Sequence, residues 1–372
     1  MPMFLIIFFS IYGAMHAVFY YRIRPLLPAS IPAHAVMLAF LAFMVASPLI
    51  SRYVELYGHD PAARLVGMIG YCWMGFIFLV FSGIVLFQVL SAVTRIIGRF
   101  GGPAFAWFSS GSATAVLIVA AAAACVYGVW EARQLRVEML SIETVKLPLN
   151  PQRLRIVQIS DVHLGLMTRP ECIQKIVDSV QAEKPDILVC TGDLVDGSPD
   201  HINGLIEMFR RLEAPYGKFA VNGNHEFYRG LGISAEFFKQ AGFDLLRGEV
   251  RTVRRAINIA GVDDHQIPGR IPEEKVLNSL PGNGLFNLFL KHRPEVDKLS
   301  RGRFDLQLSG HTHGGQIFPF NFIVAMAYPL MNGYQELEGG ILYASRGTGT
   351  WGPPMRVLAP PEITVIDLVR PD

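Results

Sequence analysis

The sequence predicts a chain in two parts: an all-α region of four membrane helices, followed by an α/β domain built from two packed sheets. Three observations lead to this fold class. Long apolar runs without charge fill the first 130 residues. Further along, short apolar runs typical of strands alternate with stretches of helical period. Five of these short runs end in His, Asp or Asn, as expected when the ends of neighbouring strands surround one site.

Four runs near the N-terminus contain no Asp, Glu, Lys or Arg, and they cover residues 2–21, 31–50, 65–93 and 103–130. Each is long enough to cross a bilayer, which needs about 20 apolar residues. Tyr and Trp residues lie near the ends of the runs, where amphipathic rings anchor helices at the membrane interface. Residues 1–130 are therefore predicted to form a four-helix anchor in the cell membrane. The alternative is a buried helical domain of a soluble protein.

The charges of the chain bear on its orientation and its partners. The Arg residues of the first part lie in short loops and nearly balance across the membrane. No basic residue precedes the first run, whereas Arg22 and Arg24 follow it, which favours an outside N-terminus and an extracytoplasmic second part. The second part is nearly neutral, so we expect no nucleic-acid-binding surface. The sequence leaves the oligomeric state open.

The second part begins with a segment of mixed charge. Residues 131–152 are predicted to form a linker with an edge strand at 137–145, stopped by Pro148 and Pro151. The remaining residues, 153–372, alternate strands with helical stretches at 171–182, 202–212 and 234–241. This order predicts a two-sheet α/β sandwich with functional side chains on the loops after the strands.

Polar side chains recur directly after the five apolar runs: Asp161, His163, Asp193, Asn224, His225, His292, His311 and His313. Side chains at i and i+2 of a strand face the same way, so we expect the two-residue spacings to aim both members of a pair into one pocket. The nitrogen and oxygen donors suit manganese, iron or zinc. Two such ions about 3.5–4 Å apart would polarise a phosphoryl group and generate hydroxide near neutral pH.

The motifs resemble, in chain order, those of the calcineurin-like metallophosphoesterases: Asp161-x-His163, Gly192-Asp193-x-x-Asp196, Gly223-Asn224-His225-Glu226, His292 and Gly310-His311-x-His313. The resemblance runs from about Leu154 to the C-terminus and does not reach the first 150 residues. It implies an αββα metallophosphoesterase sandwich with two divalent metal ions as cofactors.

The resemblance also implies a role for each residue. The ligands of one metal would be Asp161, His163 and His313. Those of the other would be Asn224, His292 and His311, with Asp193 bridging the two. His225 would be the outer-sphere acid that protonates the leaving oxygen or steadies the phosphoryl group, and Asp196 would orient it.

Two features narrow the substrate class. Gly197 follows Asp196, where serine/threonine protein phosphatases of this superfamily carry Arg, so a protein-phosphatase role is disfavoured. The stretches 345–356 and 361–364 resemble the ending of the membrane-associated bacterial branch. There, Arg346 and Arg356 are predicted to grip the substrate phosphate through forked hydrogen bonds. The alternative is a structural or surface role for both.

Residues 318–331 are unusually apolar for a segment that follows a catalytic motif. They are expected either to pack as core beneath the metals or to form a lip that takes an acyl chain. The predicted function is a membrane-anchored phosphoesterase that hydrolyses a phosphomonoester, phosphodiester or pyrophosphate, on a lipid-linked substrate. The alternatives are a nucleotide or cyclic-nucleotide phosphodiesterase and a membrane-tethered scaffold without catalysis.

Overall fold

A computed structural model describes residues 2–100 and 107–371 of the chain, so the start of the predicted run 103–130 lies outside the described residues. The chain forms two compact units. The helical unit comprises Met1–Trp130 and Gly352–Val357, and the α/β unit comprises Glu131–Trp351 and Leu358–Asp372. The predicted bounds 1–130, 131–152 and 153–372 stay a prediction, and Gly352–Val357 groups with the helices. Gly128 permits this, since its carbonyl accepts the N–H of Arg356 at 2.9 Å and a side chain there would crowd Val357.

The helical unit is built on four long helices: α1 (Pro2–Ile23), α2 (Ile31–Leu56), α3 (Asp60–Arg99) and α4 (Gly111–Glu131). All four are long and apolar enough to cross a membrane. Pro stands in the first turn of α2 and α3, where its missing N–H costs nothing. Many large apolar side chains stay exposed, including Val36, Val119 and Val126 at 71%, 68% and 73%. Such a surface suits lipid and disfavours the soluble helical alternative.

The first sheet of the α/β unit has six strands in the order β1-β12-β2-β3-β4-β5. Their bounds are β1 (Arg136–Glu143), β2 (Arg153–Ile159), β3 (Ile187–Cys190), β4 (Lys218–Ala220), β5 (Asp244–Leu245) and β12 (Glu362–Val369). Only the β12–β2 pair is antiparallel among these strands. The predicted edge strand is thus β1, which pairs with β12 alone in this sheet.

The second sheet also has six strands, in the order β10-β11-β9-β8-β7-β6. Their bounds are β6 (Glu249–Val253), β7 (Ile257–Gly261), β8 (Phe286–Leu290), β9 (Leu306–Ser309), β10 (Gly333–Leu337) and β11 (Gly340–Ala344). The four central strands are parallel, and an antiparallel pair closes each edge. Central parallel strands need cover on both faces, which explains their continuous apolar character.

Helices cover the outer face of each sheet. The bounds of the remaining helices are α5 (Pro170–Ala182), α6 (Pro199–Arg210), α7 (Asn224–Arg229), α8 (Leu231–Gln240), α9 (Glu273–Asn278) and α10 (Asn321–Ala327). Within β2, Leu154 and Ile156 pack between the sheets, whereas Val157 and Ile159 pack against α5, α6 and α8. On the second sheet, α9 covers Ala260 and Phe289. These four layers confirm the predicted two-sheet α/β sandwich.

Parallel strands bring the site together. β2, β3 and β4 run the same way in the first sheet, and β7, β8 and β9 do so in the second. Their carboxyl ends therefore lie at a shared edge, and the loops that leave this edge carry the predicted metal ligands. In open α/β sheets ligands bind in the crevice outside the carboxyl ends of the strands.

Candidate metal centre

The predicted ligands lie beyond the strands, not on them. β2 ends at Ile159 and β9 at Ser309, so the expectation that each pair faces one way because it sits on a strand is wrong. The backbone instead turns left-handed at five predicted ligands: Asp161, His163, Asp193, His311 and His313, with φ of 54°, 55°, 52°, 71° and 51°. Such φ values are uncommon for residues with a side chain and persist where the surroundings enforce them.

Neighbouring loops enforce this backbone. The N–H of Asp161 donates to the carbonyl of Gly192, and the N–H of His163 donates to the carbonyl of Asp193, both at 3.0 Å. Glycine allows the close approach, because a side chain at Gly192 would lie 2.7 Å from the nitrogen of Gly223. A side chain at Gly310 would likewise clash with the Asp161 carboxylate. The glycines of the motifs thus allow the loops to approach closely beside the candidate metal ligands.

One cluster joins Asp161, His163 and His313, whose ligand atoms lie within 4.8 Å of one another. The Nε2 atoms of His163 and His313 are 3.1 Å apart, and His313 Nε2 lies 3.7 Å from Asp161 Oδ1. The carboxylate is held by the N–H of His311 and by the hydroxyl of Ser160. Burial raises the pKa of Asp161, and the charge of Asp193 adds to this, while His292 and His163 oppose it.

A second cluster joins Asp193, His292 and His311, again with ligand atoms within 4.8 Å. His292 Nδ1 lies 2.8 Å from the carbonyl of Thr191, so it donates there and leaves Nε2 as the ligand atom. That Nε2 is 3.1 Å from His311 Nδ1, 3.1 Å from Asp193 Oδ2 and 3.2 Å from Asn224 Oδ1. The structure therefore brings Asn224 to this cluster too.

The two clusters fit divalent metals. In each cluster two imidazole nitrogens lie 3.1 Å apart and can share at most one proton. Oxygen atoms with lone pairs surround them. A bound cation would balance these buried acceptors, which apolar packing cannot do. Burial alone would lower the pKa of His292, but the charge and hydrogen bond of Asp193, together with the charges of Asp161 and Asp264, raise it to about 10. Because a cation relieves the same excess of negative charge, metal and proton compete for this nitrogen.

His225 lies at the edge of both clusters. Its ring centroid is 4.7 Å from that of His163, and its Nδ1 lies 2.9 Å from Asp196 Oδ1. A third metal-sized group joins His225 with His163 and Asp193. Arg229 donates to the same Asp196 oxygen at 3.1 Å, and the predicted outer-sphere role of His225 stays a prediction. Burial alone would lower the pKa of His225, whereas the charges of Asp193 and Asp196 raise it to about 9.

The sequence motif contains Glu226 but gives it no role. Its buried carboxylate accepts the N–H groups of Asp193, Val195 and Gly223 at 2.9, 2.9 and 2.7 Å. It therefore ties the Asp193 loop to the start of α7, which carries Asn224 and His225. Burial raises the pKa of Glu226 to about 7, and the nearby charge of Asp193 adds to this. The position of Glu226 directly after His225 was the one sequence feature that pointed to a role at the site.

Arg293 is a second residue without a predicted role, although it directly follows His292. Its guanidinium is buried and donates to Asp264 at 2.6 Å, to the hydroxyl of Tyr328 at 2.7 Å and to Asn224 Oδ1 at 3.4 Å. The contact orients the amide of Asn224, because an arginine binds only its oxygen. The tyrosine ring in turn lies 5.3 Å from that of His311.

The two predicted phosphate-gripping arginines lie outside both clusters. Arg346 donates to the carboxylate of Glu362 at 2.7 Å and forms an ion pair with Glu138. Arg356 is fully buried and belongs to the helical unit. These environments favour the structural alternative for both residues, and contact with substrate phosphate stays a prediction.

The apolar segment 318–331 is not core, so that alternative is wrong. None of the seven described residues of α10 is buried. Phe322, Ile323 and Met326 are 63%, 52% and 80% exposed. The segment nevertheless stays attached to the site, since the hydroxyl of Thr312 donates to the carbonyl of Met331 at 2.6 Å. An exposed apolar helix thus directly adjoins the metal-binding loop.

Comparison with known proteins agrees with this geometry. Residues 154–315 match the family model described as calcineurin-like phosphoesterase. A metallophosphoesterase of Aquifex aeolicus is 40% identical over 241 residues, which cover 63% of this chain and 92% of that protein. One of Campylobacter jejuni is 34% identical, covering 62% and 63% of the two chains. A Danio rerio transmembrane protein with metallophosphoesterase domain is 29% identical, and the match covers 90% of this chain and 79% of that one.

Proposed function

The chain belongs to the calcineurin-like metallophosphoesterase family and is a phosphoric ester hydrolase, and from this premise we propose that it acts on a lipid-linked substrate at a membrane. The bond cleaved would be a phosphomonoester, phosphodiester or pyrophosphate. The observation that carries the proposal is the exposed apolar helix α10 beside the metal-binding loop, in a chain that also has four membrane-length helices. Membership of an enzyme family disfavours the scaffold alternative.

The residues that would hold the metals follow from the two clusters. Asp161, His163 and His313 would hold one ion. Asn224, His292 and His311 would hold the other, and Asp193 would bridge them. Two bound divalent ions supply Lewis acidity and hydroxide near neutral pH. The nitrogen and oxygen donors favour manganese, iron or zinc.

His225 would donate the proton that the leaving oxygen needs. His225 Nδ1 lies 2.9 Å from the Asp196 carboxylate, so Nε2 would be the ring nitrogen that faces substrate. Arg229 positions that carboxylate. The N–H of His225 donates to Asp193 Oδ1 at 2.8 Å, which links the acid to the proposed bridging ligand. An imidazole in this setting favours the protonated form and therefore suits a general acid.

The apolar helix distinguishes the lipid proposal from a soluble nucleotide substrate. A large exposed apolar patch marks an interaction surface or a membrane contact. Phe320 and Phe322 lie 43% and 63% exposed at the start of α10. A membrane that buries them would also bring acyl chains within reach of the metal-binding loop. A nucleotide substrate gives these side chains no such role.

A direct test compares a lipid phosphoester in vesicles with a water-soluble ester of the same head group. We expect a much higher kcat/KM for the lipid ester. Phe320→Asp and Phe322→Asp should lower only this activity, while Leu299→Asp, a control at a 58% exposed apolar residue elsewhere, should change neither. Equal kcat/KM for both esters in the parent protein would place the nucleotide alternative first.

We further propose that the α/β unit lies outside the cytoplasm, on the basis of Arg22 and Arg24 at the C-terminal end of the first helix. Cys172 is exposed on α5, which provides a reporter. A membrane-impermeant maleimide should label Cys172 in intact cells, and Cys172→Ser should abolish this labelling. Labelling that requires cell lysis would place the unit inside.

A further inference from the structure

Two exposed aromatic side chains adjoin the proposed proton donor. The ring centroid of Tyr228 lies 5.4 Å from that of His225, and the ring of Trp351 lies 5.8 Å from it, both in edge-on geometry. Tyr228 is 42% exposed and Trp351 is 46% exposed. Rings of this size contribute binding surface when a partner covers them.

Trp351 is held firmly despite its exposure. The side-chain amide of Gln316 donates to the carbonyl of Trp351 at 2.8 Å and accepts its N–H at 2.9 Å. Gln316 itself has a φ of 50° and follows the His313 turn. A side chain at Gly349 would clash with the carbonyl of Val162, so the segment before Trp351 lies close against the Asp161 loop. These contacts fix the Trp351 backbone against two metal-binding loops.

The second ring is also positioned. Tyr228 lies on α7, three residues after His225, and its hydroxyl donates to the side chain of Gln266 at 2.5 Å. Rings whose positions are fixed before binding lose little conformational entropy when a ligand covers them. The backbone of Trp351 and the ring of Tyr228 are therefore positioned beside His225 before a ligand binds.

Because Tyr228 and Trp351 lie next to the proposed acid His225, their position indicates which part of the substrate they contact. In hydrolysis one water oxygen bonds to phosphorus, the bond to the leaving oxygen breaks, and that oxygen takes the proton from His225. A proton from the water restores the acid. Because the acid must reach the leaving oxygen, side chains next to His225 contact the leaving group. Aromatic side chains stack well on planar rings such as nucleobases and phenols.

We infer that Tyr228 and Trp351 bind a leaving group that carries a planar aromatic ring. This inference rests on the proposed function and sharpens it. The ring of Tyr328 lies against His311, and α10 precedes it, so acyl chains would approach from the other cluster. The substrate would then have a lipid end near α10 and a ring-bearing end near Trp351, as in a lipid-linked diester or pyrophosphate.

The kinetic test uses two esters of one phosphoryl group whose leaving groups have matched pKa, phenol and hexafluoroisopropanol. In Trp351→Ala, kcat/KM for the phenyl ester should fall about tenfold, and that for the alkyl ester should fall far less. Trp351→Phe should restore most of the preference. Tyr334→Ala, which removes a 59% exposed ring from β10, should leave it intact. An unchanged preference in Trp351→Ala would overturn the inference.

A binding measurement separates this inference from the proposed function. The chain has four Trp residues, and Trp351 alone lies between 131 and 372. Nitrophenol should quench tryptophan fluorescence saturably, and Trp351→Phe should remove the saturable part. If metal-loaded protein cleaves neither ester, the proposed function fails and the quenching decides the inference by itself. Absence of saturable quenching in the parent protein counts against the ring-binding surface whatever the kinetics show.

Discussion

His16 of the helical unit and His292 of the α/β unit are both buried, and their surroundings differ in one respect. The two ring nitrogens of His16 have protein partners, the carbonyl of Tyr12 at 2.7 Å and the indole N–H of Trp73 at 2.8 Å. His292 Nδ1 is satisfied in the same way, but its Nε2 faces His311, Asp193 and Asn224. Burial alone therefore does not mark a functional histidine. A functional histidine is marked by a ring nitrogen that faces other side-chain atoms with lone pairs.

The backbones differ in the same sense. His16 lies within a regular helix, whose hydrogen bonds are local. Five of the seven predicted ligands in the α/β unit sit in left-handed turns, which other loops hold in place; His292 and Asn224 do not. Such turns cost conformational free energy, about 1–3 kcal/mol each, and the fold sustains them where the position of a side chain matters. The comparison can be tested by removing groups of each kind.

The largest effect is expected from Asp193→Ala, which removes the proposed bridge between the clusters. Metal content should fall to one ion or none per chain, and kcat should fall by at least roughly 10³-fold, since metal ions supply several kcal/mol of transition-state stabilisation. Elemental analysis and turnover measure both. Asp263→Asn is the control, because that buried carboxylate binds Asn222 and Arg247 and should leave both metals in place. Two metals retained in Asp193→Ala would end the bridging assignment.

His225→Ala should separate proton donation from metal retention. Both metals should remain, and kcat should fall by roughly 10²–10⁴-fold for an ester with a poor alkoxide leaving group. A nitrophenol ester should lose much less, because its leaving oxygen needs little protonation. The exposed His265 provides the control variant His265→Ala. A full rate with the alkoxide ester would remove His225 from the mechanism.

Features set by residues close together in the sequence could be predicted, whereas features set by contacts between distant residues could not. The candidate ligands could be predicted because each lies within a few residues of the end of a strand. The four-layer fold followed from alternating apolar runs, and the family comparison confirmed it. The role of Glu226 was not readable, because its partners Asp193 and Val195 lie 33 and 31 residues away. Arg346 meets Glu138 across 208 residues, which no local pattern encodes.

The left-handed ligands illustrate the same limit. Asp161 and His163 have ordinary local propensities, and their conformation comes from hydrogen bonds to Gly192 and Asp193 in another loop. Trp351 depends similarly on Gln316, 35 residues before it. Sequence patterns locate side chains at the end of a strand, whereas the direction in which they point is set by tertiary contacts.

The helical counterpart of the metal-site variants is His16→Phe. It leaves the indole N–H of Trp73 without its acceptor, which should cost about 1–3 kcal/mol of stability. The thermal midpoint in detergent should fall, while metal content and kcat of the folded protein should match the parent. His59→Ala, at an exposed position, should leave the midpoint unchanged. Loss of metal from His16→Phe would contradict the distinction between His16 as a structural histidine and His292 as a metal-site histidine.

The smallest effect is expected at Asp367 in the α/β unit, whose negative charge is already paired with protein groups. Arg155 donates to both oxygens of Asp367 at 2.8 and 2.9 Å, and Arg153 adds a third hydrogen bond at 2.7 Å. These bonds lower the pKa of Asp367 in the folded state. Its stabilisation is therefore present above the unfolded pKa of about 4 and is lost as the pH falls through the lower folded value.

Asp367→Asn should accordingly cost about 1 kcal/mol at neutral pH, a value that salt screening reduces. Below about pH 4 the difference from the parent should shrink, because the parent loses the same stabilisation there. The thermal midpoint of the metal-free protein, followed from pH 7 to pH 3, measures this, with Asp178→Asn on the exposed face of α5 as control. Metal content at pH 7 should equal that of the parent, since the oxygens of Asp367 bond to Arg155 and Arg153 and not to a metal. A constant difference across the pH range would mean that the Arg155 pair does not stabilise the fold through its charge.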